Sequence, residues 1–207
     1  MRQNERYGWG ATEVILTVAL LTAKSWLILL PPKVGSQWIV ASLRAAGVPF
    51  EEVDVRHAER AKFAGDYAGV ATFVRHPVDW HASYWAYRNS DRSTWDDAWE
   101  LDAQCASPCW KDYVTAATSR CPGYVARMFS RYTEQSGHEI DFVGKQEYLR
   151  ADLTRLLDLM GETFDPDALR TLPVINASPG KPVISAVERS AIHLSEQAMY
   201  ARYGYEP

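Results

Sequence analysis

The chain has 207 residues, 47% of them hydrophobic, which is enough to bury one core and too little to carry a second catalytic domain. Its net charge of −4 and pI near 5.7 give no global basic field, which argues against nonspecific nucleic-acid binding and gives no support for a long polyanionic acceptor. Three cysteines, Cys105, Cys109 and Cys121, form neither an even disulfide framework nor a paired zinc motif, so a reduced, cytoplasmic setting is the simpler reading, with Cys105–Cys109 or Cys109–Cys121 as the alternative bridges.

Residues 1–24 read as an N-terminal extension. The stretch 14–21 (VILTVALL) is apolar but is interrupted by Thr17, bounded by Glu13 and Lys24, and too short to span a bilayer. No small-x-small cleavage site separates it from the next strand, so a structured helix or strand is expected, packed on the core or against a second copy of the chain.

Residues 25–207 read as one α/β domain. A strand at 25–30 runs into Pro31-Pro32-Lys33-Val34-Gly35-Ser36-Gln37-Trp38 and then an amphipathic helix over 36–46. The prolines end the strand because they donate no backbone N–H, and Gly35 permits a turn whose N–H groups converge on an anion. Lys33 adds positive charge, while Ser36 and Gln37 fall in the first helical turn, where unpaired N–H groups favour phosphate. The lysine precedes the glycine, the reverse of the ATP-binding G-x-x-x-x-G-K-[ST] loop, which speaks against an ordinary kinase.

A strand at 49–54 and a short helix near 58–65 lead to a second junction of the same kind. There a buried strand at 70–75 ends in Arg75, and Pro77 opens a helix over 77–90 with Asp79 in its first turn. Ser83 stands eight positions after Arg75, a gap that a phosphate shared by guanidinium and hydroxyl would fill. Helices are expected through much of 93–135, then a strand at 140–143, a helix at 147–160 and a last helix at 185–203. Strands alternating with helices predict a three-layer α/β/α arrangement around a central parallel sheet, with ligands at the carboxyl ends of the strands. Both junctions then share one rim.

Those two junctions resemble the signatures of the PAPS-dependent sulfotransferases, whose donor is 3'-phosphoadenosine 5'-phosphosulfate. Pro32, Lys33, Gly35 and Trp38 match the first signature, with Ser36 conservative for threonine; Arg75, His76, Pro77 and Ser83 match the second. Val34 and Gln37 depart from it. Residues 142–149 (FVGKQEYL), Asn176-Ala177-Ser178 and Tyr203-Gly204-Tyr205 are similar to later features of bacterial and carbohydrate-type members.

The resemblance implies a P-loop-NTPase-like sulfotransferase fold and transfer of a sulfuryl group from PAPS to a hydroxyl or amine of a small-molecule or carbohydrate acceptor, leaving PAP and needing no metal. It implies that Lys33 acts on the bridging and 5'-phosphate oxygens, that Gly35, Ser36 and Gln37 bind the 5'-phosphate, that Arg75 and Ser83 bind the 3'-phosphate, and that Trp38 lies against adenine. For the base that takes the acceptor proton, the cytosolic members imply His57, the only histidine between the two signatures; the carbohydrate type would use a glutamate, Glu51, Glu52 or Glu59. Glu147, at the start of its own helix, reads as a dipole or capping residue. An ATP-dependent small-molecule kinase and a catalytically silent nucleotide-binding module are the competing readings.

Overall fold

The computed structural model describes residues 19–54, 59–63, 65–91, 93, 95, 99–135, 138–175 and 180–207. Its centre is a five-stranded sheet of β1 (Ala19–Thr22), β2 (Trp26–Leu29), β3 (Phe50–Asp54), β4 (Gly69–Val74) and β7 (Phe142–Lys145), in the spatial order β3-β1-β2-β4-β7. β5 (Glu134–Gln135) and β6 (His138–Glu139) form a separate two-stranded ribbon.

The sheet is mixed, not wholly parallel as the alternation of strands and helices predicts. β2, β4 and β7 run parallel, while β1 lies antiparallel to both β2 and β3. β3 therefore points the same way as β2, and one inverted strand sits between them. That strand comes from the segment assigned to the N-terminal extension, whose last residues are thus an inner part of the sheet. Leu20 is fully buried there, so the apolar stretch is used as core. Residues 1–18 lie outside the described residues.

Every residue of β2 and of β4 is buried, which requires cover on both faces, as two central strands with near-continuous apolar runs demand. Two tight approaches lock these strands side by side. Gly69 on β4 pairs with Trp26 on β2, and a Cβ built on Gly69 would stand 2.5 Å from the indole Cη2. Gly144 on β7 likewise pairs with Phe73 on β4, with Phe73 Cδ1 at 2.5 Å from an added Cβ. In each pair the ring occupies the space that a side chain on the neighbouring strand would need.

Between the strands run α1 (Ser36–Ala45), α2 (Pro77–Arg88), α3 (Glu100–Cys105), α4 (Trp110–Arg120) and α5 (Tyr124–Thr133), and after β7 come α6 (Leu149–Met160), α7 (Pro166–Thr171), α8 (Ala186–Ser195) and α9 (Gln197–Tyr203). The helix expected near 58–65 reduces to a 3-10 turn, Arg60–Lys62, the strand expected at 140–143 shifts to Phe142–Lys145, and α7 was not anticipated. The helix expected over 185–203 breaks in two at Glu196. The cause is tertiary: the Glu196 carboxylate accepts from the backbone N–H groups of Val125 and Ala126 at 3.1 and 3.0 Å, capping the start of α5 from a distance in sequence. His81 lies 3.6 Å from the same carboxylate and 2.8 Å from the Tyr113 hydroxyl, all three side chains being buried. Among the described residues no helix is long and apolar enough to cross a membrane.

Candidate functional site

β2 and β4 are adjacent and parallel, so the loop after β2 and the junction after β4 emerge side by side. β3 ends on the same rim, two strand spacings or about 10 Å from β2. The sequence that follows β2 builds a tight turn: Lys33 adopts φ 69° and Gly35 φ 88°, both left-handed. For Lys33 this is an uncommon backbone state, of the kind that collects at ligand-binding turns. Gly35 is required twice over, by its φ and because an added Cβ would meet Leu149 Cδ2 at 2.8 Å. Val34, a departure from the sulfotransferase signature, is fully buried and fastens the turn to the core.

Three bonds hold this loop from below. Arg75 Nη1 donates to the Lys33 carbonyl at 2.9 Å, Trp80 Nε1 donates to the Pro32 carbonyl at 3.0 Å, and Ser36 Oγ donates to the Pro31 carbonyl at 3.4 Å. The half-buried Lys33 places its Nζ 4.2 Å from the centre of the Tyr87 ring on α2. The start of α1 carries no acidic residue, and its N-cap is Gly35, which supplies no side-chain acceptor. Its first N–H groups and the dipole therefore present an uncompensated positive end beside Lys33.

The second junction differs. Its N-cap is His76, Pro77 opens α2 and Asp79 lies in the first turn. Glu147 Oε1 accepts from the His76 backbone N–H at 2.7 Å, and Glu147 Oε2 accepts from the Tyr205 hydroxyl at 3.1 Å. A carboxylate of the chain itself thus stands where the helix start attracts an anion. The adjoining C-terminal residues are tied down too: Lys145 Nζ donates to the Gly204 carbonyl at 3.2 Å and lies over the Tyr205 ring, and His76 packs edge-on to Tyr205 and Tyr200. Burial pushes the Tyr205 phenol well above its ordinary range, and Glu147 adds to the effect.

Arg75 is 7% exposed, and its Nε has no hydrogen-bond partner. Burial lowers its pKa, opposed by Asp79, Glu147 and Tyr205. Ser83 is 3% exposed on α2. Trp38 is buried at 7%, with the Arg150 guanidinium 5.8 Å from its ring. Gln37 is half-buried in the first turn of α1.

The fold therefore brings together Lys33, Gly35, Ser36, Gln37 and Arg75 around one turn. His57 and Asn176 to Ser178 lie outside the described residues. Of the glutamates considered as bases, Glu52 is held by Arg44 Nη2 at 2.6 Å and Glu59 by Arg131 Nη1 at 3.2 Å, both pairs being ordinary surface ion pairs, and Glu51 is exposed on β3. Sequence reasoning missed the reach of Glu147 to α2 and the contacts of Tyr205, Lys145 and Arg150. Lys145, Glu147 and Tyr205 did leave a signal, since they stand in segments that resemble later features of the sulfotransferases, whereas Arg150 left none.

No family model, curated protein or solved structure matches the chain.

Proposed function

We propose that the chain is a PAPS-dependent sulfotransferase of the P-loop-like α/β/α type, moving a sulfuryl group from PAPS to a hydroxyl or amine of a small-molecule or carbohydrate acceptor. The observation that carries this reading is the bond from Arg75 to the Lys33 carbonyl: it ties together the two strand-to-helix junctions on adjacent parallel strands, which supports one ligand reaching both. The positive start of α1, with Gly35, Ser36 and Gln37, suits the 5'-phosphate. Lys33 is the group to stabilise charge growing on the leaving phosphate, because it carries a positive charge at that turn. Arg75 and Ser83 are assigned to the 3'-phosphate, and Trp38, being buried, supports the adenine end from within the core. His57, three residues past the end of β3, is the proposed base. In-line transfer assembled this way needs positioning, a base and leaving-group stabilisation, and requires no metal.

Calorimetric titration tests the reading. PAP should bind at micromolar or tighter affinity, about 8 kcal/mol, and PAPS should be turned over with a panel of phenols, sugars and amines. Binding of magnesium ATP with no binding of PAP would reject it in favour of a kinase. A second reading, a catalytically silent nucleotide-binding module, draws on Glu147 standing at the start of α2; it predicts PAP binding with no turnover.

A further inference from the structure

Cys105 ends α3, and Cys121 is the C-cap of α4. Their sulfur atoms are 3.7 Å apart, and the two residues are 2% and 1% exposed. The sequence offered Cys109 as the partner of either one. The fold excludes the pairing of Cys109 with Cys121: Cys109 is the N-cap of α4 and Cys121 its C-cap, so the eleven-residue helix holds them about 18 Å apart, beyond the reach of a disulfide. Cys109 is also exposed, whereas the other two thiols are enclosed together. Nothing in the proposed transfer reaction uses this pair.

We propose that Cys105 and Cys121 form a dithiol that hydrogen peroxide closes to a disulfide between the ends of α3 and α4. The chemistry balances with hydrogen peroxide as the oxidant. One thiolate attacks a peroxide oxygen, giving a sulfenic acid and water; the second thiolate attacks the sulfenic sulfur, the S–S bond forms, and hydroxide leaves as water. The two thiols give up two electrons and two protons, and the peroxide takes them. Enclosure favours a small oxidant over a bulky disulfide, because the sulfur atoms are already in contact while little of either is open to solvent. Burial also raises the pKa of both thiols, Cys121 to about 12, which keeps the pair protonated and makes the oxidation slow at neutral pH. Closure has a structural consequence, since α3 carries Asp102, which accepts from the Tyr84 hydroxyl at 2.6 Å and pairs with Arg88, both on α2.

The test uses the full chain with Cys109→Ser, so that only the two buried thiols remain. After dilute peroxide, the thiol count in denaturant should fall from two to none, and the intact mass should fall by two hydrogens. A tryptic digest should contain 93–111 joined to 121–127, and dithiothreitol should separate them. The unsubstituted chain, digested in the same way, should show the same linkage. Retention of both thiols, a gain of oxygen atoms without loss of hydrogens, or a bridge from Cys105 to Cys109 in the unsubstituted chain would overturn the proposal.

Discussion

The Glu147 carboxylate accepts a hydrogen bond from the backbone N–H of His76 at 2.7 Å across 71 residues of sequence, so the two strand-to-helix junctions are electrostatically unequal. The start of α1 is positive, and that of α2 is already partly neutralised by Glu147 and Asp79. Replacing Glu147 by glutamine keeps one acceptor, for the His76 N–H, and sets an amide N–H beside the Tyr205 hydroxyl oxygen, while removing the charge. Glu147→Gln should tighten PAP binding by about 1 kcal/mol, the usual scale of a charge at a helix end, measured by calorimetry at low salt. Weaker binding would show that Glu147 orients Arg75 and does not oppose the ligand.

Lys33→Ala and Arg75→Ala should separate. The lysine change should cut turnover by a larger factor than it weakens PAP binding, because the proposed transfer needs its charge most as the phosphate leaves. Arg75→Ala should weaken PAP binding and also lower the denaturation midpoint, since it frees the Lys33 carbonyl from its 2.9 Å donor. Equal losses of kcat and affinity in both variants would count against distinct roles.

Gly144→Ala places a methyl group 2.5 Å from Cδ1 of the fully buried Phe73 ring, so either that ring or the edge strand β7 has to shift. A loss of about 2 kcal/mol is expected from urea denaturation, in the range of other overpacked cores. A midpoint like that of the unsubstituted chain would mean that the strands can part at little cost.

Glu196→Ala removes the acceptor for two backbone N–H groups at the start of α5 and leaves His81 without its carboxylate neighbour. The expected loss is about 3 kcal/mol, with Glu196→Gln less damaging because one amide oxygen can still accept. Chemical denaturation of the two variants side by side decides this.

Buried tyrosines give the stability a defined alkaline limit. Burial pushes the phenols of Tyr84, Tyr113, Tyr124 and Tyr132 well above the ordinary 10.0, and that of Tyr200 to about 12. In the unfolded chain these groups ionise from about pH 10, while the native chain keeps their protons. The unfolded state then binds fewer protons, so stability falls as pH rises above about 10. Urea midpoints should be lower at pH 11 than at pH 9, with tyrosinate absorbance rising together with the loss of helical circular dichroism.

How far the sequence carried depended on the range of the interaction. Trp26 to Leu29 and Gly69 to Val74 were legible because strands buried on both faces read as unbroken apolar runs. The same property hid the orientation of β1, since an apolar run has the same appearance in either direction. The turn before β2 was hidden too: Ser25 takes φ 60°, a conformation usually advertised by glycine or asparagine. In the candidate site, Lys33, Gly35 and Arg75 could be read locally from strand, turn and helix start. Glu147 at His76 and Tyr205 at Glu147 could not, because each contact joins residues far apart in sequence.

The inverted strand β1 bears on how the chain assembles. Ala19–Thr22 and Trp26–Leu29 are joined by three residues, and Leu21 faces Leu27 across the ladder, so this pair forms a hairpin from nearest neighbours alone. Such a hairpin closes in microseconds, whereas β2 meets β4, and β4 meets β7, only after long crossovers have been ordered. The segment that delivers the Lys33 turn thus belongs to the most local pairing of the sheet, and the second junction is expected to join it only after a long crossover has been ordered.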